Sequence, residues 1–297
     1  MKRRAFLSLL TGSAAAAALP VKAKAAGGEF SGHPDNMAVL TDLTKCIGCR
    51  KCETACAKVN DLPAPVKLED RSVFEEKRRT HAEIFTVVNE YKVDGKDVYR
   101  KMQCMHCQEP ACATACFVKA FTKNPDGSVT YDPTLCVGCR YCMIGCPYDV
   151  PKYEWDKVFP SIMKCQLCAG KLEKGESPAC SSVCPTGALT FGDRDALLRQ
   201  AKNTIAKDSR YIDHVYGETE GGGTRWLYIS DVPFGELGLP TDIPERDIPS
   251  MVHDYTKWKP GVFAGAAAVL GGLGFYTWRR LKVEEYRKAH AEEYRKI

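Results

Sequence analysis

The chain has 297 residues with 42 basic and 37 acidic side chains, and its formal net charge is +5. Residues 1–25 hold five of the basic side chains, and residues 279–297 hold seven basic and four acidic ones. This leaves 30 basic and 33 acidic side chains in residues 26–278. The body is therefore slightly acidic, which excludes a basic face for nucleic acid.

The N-terminal residues have the order of an export signal. Arg3 and Arg4 precede a short apolar stretch with alanines at 14–18, and Ala23-Lys24-Ala25 offers a cleavage site. The pattern predicts a twin-arginine signal over residues 1–25, and the alternative is an amphipathic or disordered basic tail. The twin-arginine route carries folded proteins, so cysteine ligands can be filled in the reducing cytoplasm before export.

The sixteen cysteines form four quartets with none left over. Two quartets have the spacing C-x2-C-x2-C-x3-C of bacterial ferredoxins, and the other two lengthen the middle gap to four and eleven residues. The spacing predicts four [4Fe–4S] clusters, with iron bound only through cysteine. The quartets are Cys46, Cys49, Cys52 and Cys56; Cys104, Cys107, Cys112 and Cys116; Cys136, Cys139, Cys142 and Cys146; and Cys165, Cys168, Cys180 and Cys184.

Two other uses of cysteine compete with this interpretation. An even number of cysteines in an exported chain is typical of disulfides, and paired C-x2-C motifs are typical of structural zinc. Neither explains three cysteines within seven residues, which a disulfide cannot pair locally and which zinc knuckles seldom use. The repeated triple run therefore favours clusters over both alternatives.

The quartets themselves predict a nested arrangement and particular loop residues. The fourth cysteine of a ferredoxin run binds the neighbouring cluster, so quartet one is expected to pair with quartet four and quartet two with quartet three. Gly48 and Gly138 occupy equivalent loop positions and are expected at positive φ, where the backbone approaches a cluster closely. His106 is expected to make a supporting hydrogen bond or to pack, the alternative being an iron ligand. Lys45 and Lys164 are expected to be solvated, the alternative being that their charges raise a cluster potential.

The segments between and after the quartets predict short strands and one helix. Residues 57–103 form an insertion with an alternating stretch at Ile84, Thr86 and Val88 and a hairpin turn at Asp94-Gly95. Strands are also expected at 128–131, 188–191 and 226–229, and Asp193 is expected to cap a helix. Prolines 233, 240, 244 and 249 indicate an extended linker over 231–260.

Residues 261–278 form the C-terminal apolar segment. These eighteen residues carry no charge, and as a helix they span roughly 27 Å, about the thickness of a bilayer core. Tyr255, Trp258, Tyr276 and Trp278 flank the segment, and Arg279 and Arg280 follow it. We therefore predict a transmembrane helix with a cytoplasmic tail at 279–297 in contact with membrane lipid, the alternative being a buried soluble helix.

No sequence motif indicates a catalytic site. No C-x2-C is followed by histidine, and the chain has no phosphate-binding loop, dinucleotide fingerprint or nucleophile elbow. We therefore expect an electron-transfer protein without bond chemistry of its own.

Residues 40–195 resemble the four-cluster iron–sulfur subunits of membrane-bound respiratory oxidoreductases. The resemblance lies in Gln103-Cys104-Met105-His106-Cys107, in Cys136-Val137-Gly138-Cys139-Arg140-Tyr141-Cys142-Met143 and in Lys164-Cys165-Gln166-Leu167-Cys168. With the twin-arginine start and the single C-terminal span, the chain is most similar to the HybA-type subunit of periplasmic uptake [NiFe] hydrogenase. The nearest alternative is the β subunit of membrane-bound formate dehydrogenase or of another respiratory reductase.

The resemblance implies an α+β fold of two nested ferredoxin-like halves in residues 26–230, with an inserted β-hairpin region and one C-terminal transmembrane helix. It also implies four ligand sets. Cluster 1 is bound by Cys46, Cys49, Cys52 and Cys184; cluster 2 by Cys136, Cys139, Cys142 and Cys116; cluster 3 by Cys104, Cys107, Cys112 and Cys146; and cluster 4 by Cys165, Cys168, Cys180 and Cys56.

The resemblance further implies partners and a location. Electrons would come from the small and large catalytic subunits of a hydrogenase and pass to a multi-span membrane subunit that reduces quinone. The chain would lie on the periplasmic face of the bacterial inner membrane, held there by its C-terminal helix. Nucleic acid is not among the expected partners.

Overall fold

The structure, a computed structural model, describes residues 37–291, so the predicted twin-arginine signal lies outside the described residues. The strands are β1 Met37–Asp42, β2 Val87–Val93, β3 Lys96–Met102, β4 Phe121–Lys123, β5 Val129–Tyr131, β6 Lys152–Tyr153, β7 Ile162–Met163, β8 Leu189–Asp193 and β9 Trp226–Ile229. The helices are α1 Lys51–Val59, α2 Ala111–Thr114, α3 Tyr141–Ile144, α4 Ala169–Leu172, α5 Ala179–Ser182, α6 Arg194–Lys207, α7 Ile248–Thr256 and α8 Lys259–Ala289. This mixture confirms the predicted α+β class.

A three-stranded sheet joins the start of the described chain to the region after the last quartet. Its order is β8-β1-β9, with β1 antiparallel to β8 and parallel to β9. Helix α6 packs Leu197 and Ala201 against the sheet, and the Asp193 carboxylate accepts a hydrogen bond from the Ala196 N–H at 2.7 Å. The predicted cap is thus confirmed, and it fixes where the chain leaves β8.

The insertion after quartet one folds as the predicted hairpin. Strands β2 and β3 pair in register from Val87 opposite Met102 to Val93 opposite Lys96. Asp94 and Gly95 both adopt positive φ, at 49° and 77°, as a two-residue hairpin turn requires. Glu53 of α1 ties the hairpin to the first quartet, because its carboxylate accepts bonds from the Val88 N–H and from Arg78.

Two smaller hairpins, β4-β5 and β6-β7, frame the central quartets. Phe121, Val129 and Ile162 form a small apolar core with the thiol-bearing side chain of Cys142. The helices that carry cysteines pack in two pairs, α1 with α5 and α2 with α3. The first pair comes from quartets one and four and the second from quartets two and three.

The proline-rich segment after β9 lies against the body over part of its length. Val232, Phe234, Leu237 and Leu239 are buried in the largest apolar core. The Tyr216 hydroxyl donates to the Pro240 carbonyl at 2.7 Å. The first part of the predicted linker therefore packs on the body. The prediction of extended chain is wrong for its last part, because α7 and the start of α8 lie within residues 248–260 and proline is tolerated in the first turn of a helix.

The C-terminal helix has the length and composition of a membrane span. Helix α8 runs unbroken through the predicted segment, and its apolar side chains from Val262 to Trp278 are exposed in the absence of lipid. It is the one helix within residues 37–291 that is long and apolar enough to cross a membrane. Length and composition alone support this, and α8 packs no apolar face against the body.

Candidate iron–sulfur sites

Two quartets begin with the same local structure. Asp42 caps the short 3-10 helix 43–45 before Cys46, and Asp132 caps the equivalent helix 133–135 before Cys136. Each loop then contains a glycine at positive φ, 64° at Gly48 and 71° at Gly138, which confirms the predicted conformation of both. Both C-x2-C segments therefore have the same capped 3-10 helix and the same glycine conformation before their helix begins.

A left-handed backbone also precedes two of the four cysteine-bearing helices. Arg50 and Arg140 have φ of 57° and 63° and precede α1 and α3, which place the third and fourth cysteines of their quartets. In the longer quartets, His106 and Leu167 sit inside the C-x2-C loops at φ of 47° and 56°. Positive φ is uncommon for side chains of this size, so these loops are held by their surroundings.

The fold brings cysteines together across the quartets. A cavity is lined by Cys46, Cys49, Cys52 and Cys184, so the last cysteine of quartet four faces the first three of quartet one. The Cys56 thiol in turn interacts electrostatically with Cys180 and Cys168, and the Cys165 thiol interacts with Cys56.

The central quartets exchange their fourth members in the same way. The Cys107 thiol interacts with Cys146, Cys104 and Cys112. The Cys142 thiol interacts with Cys116, Cys136 and Cys139. Each of these four groups therefore contains three cysteines of one quartet and the last cysteine of another.

The donor chemistry of the groups fits an iron–sulfur cluster. Soft thiolates are the ligands of Fe–S clusters, and backbone N–H groups directed at sulfur tune them. Such N–H groups are present: Gly138 donates to Cys136 Sγ at 3.4 Å, Leu167 to Cys165 Sγ at 3.4 Å and Ala120 to Cys116 Sγ at 3.2 Å. All sixteen cysteines are free of disulfide bonds.

Burial makes the bare thiolates unfavourable. It raises the pKa of Cys46 to about 11, with smaller contributions from Cys184 and Cys49. Burial likewise raises the pKa of Cys142 to about 12, reinforced by Cys116 and Cys136. Deprotonating such a group at neutral pH requires a compensating cation, which iron supplies when a cluster is bound.

The groups are wider than a site for one metal ion. Among residues 37–291, no three Cys, His, Asp or Glu side chains converge closely enough to hold a single ion. Assignment to a class of metal centre therefore depends on the cysteine spacing and on the relatives of the chain.

Comparison with known proteins identifies that class. A family described as "4Fe-4S dicluster domain" matches residues 96–194. The hydrogenase-2 operon protein HybA of Escherichia coli O157:H7 is 35% identical over 275 residues, covering 81% of this chain and 84% of the relative. The chain belongs to the family of iron–sulfur subunits of respiratory oxidoreductases. These ferredoxin-like subunits transfer electrons and are not the catalytic subunits of their complexes.

Other relatives extend over similar lengths. The formate dehydrogenase iron-sulfur subunit of Haemophilus influenzae is 32% identical over 252 residues, covering 81% of this chain and 78% of the relative. A protein of Nitratidesulfovibrio vulgaris (strain Hildenborough) is 50% identical over 299 residues, covering 98% of this chain and 81% of the relative. The predicted resemblance to HybA-type and formate dehydrogenase subunits is thus confirmed, and iron–sulfur clusters are the cofactor of this family.

His106 lies where the sequence suggested, supporting a cysteine loop. It is 1% exposed, and its Nδ1 accepts the Val129 N–H at 2.9 Å. Burial and the nearby Lys164 and Lys123 hold the pKa of this imidazole well below its usual range, so the ring is neutral with its proton on Nε2. The bond ties the Cys104 loop to β5.

The two lysines that directly precede a leading cysteine have different environments. Lys45 is exposed, as predicted, and it also pairs with Asp42 at 3.0 Å. The prediction that Lys164 is solvated is wrong: it is 3% exposed and its ammonium donates to the carbonyls of Val129 and Cys165. Lys101 is also buried and Lys123 is half-buried, and no sequence motif marks either of them. Their burial follows from strand pairing, which the sequence pattern does not display.

Gly48 is the residue at which the first loop tolerates least change. A Cβ built there would lie 2.4 Å from Tyr99 Cδ1, and the Tyr99 ring is held by bonds to Glu90 and Arg71. We expect Gly48→Ala to displace the Cys46–Cys49 loop and to reduce bound iron by about one cluster in four. Gly187→Ala is the matched control, since Gly187 has the same positive φ but open space around it. If both variants lose the same amount of iron, the loss comes from backbone strain and the clash with Tyr99 is not its cause.

Proposed function

We propose that the chain binds four [4Fe–4S] clusters through sixteen cysteines and relays electrons between a catalytic partner and a membrane partner. The ligand sets are those of the nested arrangement: Cys46, Cys49, Cys52 and Cys184 for cluster 1; Cys136, Cys139, Cys142 and Cys116 for cluster 2; Cys104, Cys107, Cys112 and Cys146 for cluster 3; and Cys165, Cys168, Cys180 and Cys56 for cluster 4. The observation that carries this proposal is the exchange of fourth cysteines between quartets. Bound clusters supply one-electron redox chemistry at these positions.

Electrostatic coupling between cysteines of different groups supports a single file in the order 1-4-3-2. The Cys52 thiol of group 1 interacts with Cys180 of group 4. Cys165 of group 4 interacts with Cys104 of group 3, and Cys112 of group 3 interacts with Cys142 of group 2. Clusters 1 and 2 then form the two ends of the series.

The position of the membrane helix favours cluster 2 as the end nearest the bilayer. Helix α7, which leads directly into the predicted span, packs against α2, the helix that carries Cys112 of group 3. The loops around group 2 also expose several large apolar side chains, namely Phe117, Val137, Tyr141, Ile144, Trp155, Val158 and Phe159. Apolar surface exposed in this way is typical of protein or membrane contacts. We assign this end to a multi-span membrane subunit and the cluster 1 end to the catalytic subunits.

The hydrogenase assignment is the first candidate for the catalytic partner. The HybA relative is named for a hydrogenase operon, and it matches this chain at 35% identity. Relatives named as formate dehydrogenase subunits match at 32% and 34%, so formate dehydrogenase is the second candidate. Subunits recovered with the chain from mild detergent distinguish the two, because the recovered complex should reduce a dye with hydrogen in one case and with formate in the other.

The location follows from the two ends of the chain. Residues 1–25 have the pattern of a twin-arginine signal, and basic side chains follow Trp278 at once. We therefore place the cluster-binding body on the periplasmic face of the inner membrane and the tail in the cytoplasm. Protease added to sealed spheroplasts should reach the body and leave the tail intact.

The proposal predicts a definite metal content. The full chain, purified anaerobically in detergent, should contain about sixteen iron and sixteen acid-labile sulfide per chain, as four cubane clusters require. Metal analysis and sulfide assay measure this directly. Stoichiometric zinc with little sulfide would refute the cluster assignment, and about eight iron would restrict the chain to two clusters.

A further inference from the structure

Lys101 on β3 is a buried cation whose neighbouring sources of negative charge are cysteine thiolates. Its side chain is inaccessible, with the residue 2% exposed, although lysine is seldom fully buried without a partner. Its ammonium donates to the Gln103 amide oxygen at 3.1 Å and lies 4.3 Å from the centre of the Trp226 ring. Both contacts are with neutral groups. Among residues 37–291, no carboxylate forms an ion pair with it. Burying an ammonium in this way is costly unless other negative charge compensates it.

The compensating groups belong to two different cysteine groups. Burial disfavours the ammonium, but the negative charge of thiolates at Cys180, Cys52, Cys165 and Cys56 raises the pKa of Lys101 above its usual range. Cys52 is in group 1, and the other three are in group 4. Lys101 also lines the cavity that holds Cys46, Cys49 and Cys184. The lysine thus stands at the junction between these two groups.

A hydrogen-bond network fixes the lysine at this junction. Gln103 Nε2 donates to the Tyr228 hydroxyl at 2.7 Å, and that hydroxyl donates to the Lys101 carbonyl at 3.1 Å. Tyr228 and Trp226 lie on β9, in the central sheet, and both are fully buried. The charge is therefore held in place by the core and is not free to swing into solvent.

We propose that Lys101 is the shared counter-charge of clusters 1 and 4 and raises the reduction potential of both. This inference rests on the proposed function, because it assigns a role toward clusters bound at those cysteines. A cluster with four thiolate ligands becomes more negative when it accepts an electron. A fixed positive charge therefore stabilises the reduced form more than the oxidised form, and poor solvent screening enlarges the effect.

The test compares midpoint potentials in the full chain, purified anaerobically with its clusters and titrated by EPR. Lys101→Met keeps the length of the side chain and removes its charge. We expect two of the four clusters to become harder to reduce, by at least tenfold in the reduction equilibrium, which is about 59 mV for a one-electron couple. Lys101→Arg keeps the positive charge, so both potentials should stay close to those of the wild-type chain. The affected signals are identified by their loss in Cys46→Ser, for cluster 1, and in Cys165→Ser, for cluster 4.

Lys45→Met is the matched control. Lys45 immediately precedes Cys46, but its side chain is exposed and paired with Asp42, so its charge is screened by solvent. Its removal should shift the potentials far less. Unchanged potentials in Lys101→Met, or an equal shift in all four clusters, would overturn the inference.

Loading is measured in the same samples. If Lys101→Met does not retain full iron, Lys101→Gln, which keeps a donor toward Gln103, replaces it and the same outcomes apply. A wild-type chain without iron and sulfide would contradict the proposed function instead, so the two failures are distinguishable.

Discussion

Replacing Cys184 by serine is expected to damage the same cluster as replacing Cys46, although the two residues are far apart in the sequence. Cys184 lines one cavity with Cys46, Cys49 and Cys52, and burial together with the nearby Cys184 raises the pKa of the Cys46 thiol. A serine oxygen is a harder and poorer ligand for iron than a thiolate. Cluster 1 should therefore become a three-iron species or be lost, which changes its EPR signal completely.

The comparison needs single and double variants. Cys184→Ser and Cys46→Ser should alter the same EPR signal, and the double variant should leave the other three clusters as they are in either single variant. Cys180→Ser is the control, because Cys180 belongs to the same quartet as Cys184 but interacts with Cys56 and Cys168. It should alter a different signal, that of cluster 4. If Cys184→Ser and Cys180→Ser instead alter one signal together, each quartet serves its own cluster and the nested assignment is wrong.

Local sequence signals predicted the elements that hold the cysteines. The hairpin β2-β3 could be predicted because its turn, Asp94-Gly95, carries the residues that a two-residue hairpin needs. The start of α6 could be predicted because Asp193 offers a side-chain acceptor to the first free N–H groups. Gly48 and Gly138 could be predicted because a backbone at positive φ favours glycine. In each case a few neighbouring residues determine the conformation.

Burial of charge could not be predicted in this way. Lys164 is buried because the carbonyl of Val129, on a strand of another hairpin, accepts from its ammonium. Lys101 is buried because β3 packs beneath Trp226, which lies more than a hundred residues further along the chain. Both environments depend on contacts between distant segments, and neither lysine stands in a pattern that marks it. The cysteine spacing located the sites but not the charges around them.

The proline-rich segment shows a related limit. Its prolines predicted an extended linker, but Pro249 lies in the first turn of α7, and the prolines carried no information about whether the chain before α7 faces solvent. Phe234 and Leu237 insert into the largest core, and the Gly238 carbonyl accepts from Arg100 of β3 at 3.3 Å. The segment that leads toward the membrane is thus joined to the strand that carries Lys101. These contacts depend on the packing of distant segments, which the positions of the prolines do not reveal.

Ending the chain after Lys257 is expected to release the cluster-binding body from the membrane while leaving its clusters intact. The cut removes α8 and its flanking Trp258, whose apolar side chains contact none of the buried core. It retains α7 and residues 232–239, which pack on the body. Expressed without partner subunits, the full chain should sediment with membranes through a high-salt wash, because a span of this length inserts stably. The shortened chain should remain in the soluble fraction with the same iron and sulfide content.

Gly265→Leu provides the control for this truncation. A side chain at Gly265 meets no other atom within 4 Å, so the substitution leaves the helix intact and only increases its apolar character. The variant should remain in the membrane fraction, as expected if insertion depends on hydrophobicity. Gly261 and Gly265 have the G-x-x-x-G spacing that suits close packing of two membrane helices, so the variant should also hold a partner membrane helix less tightly. Membrane retention of the shortened chain would show that another part of the body binds lipid, and loss of its clusters would show that α8 supports the fold.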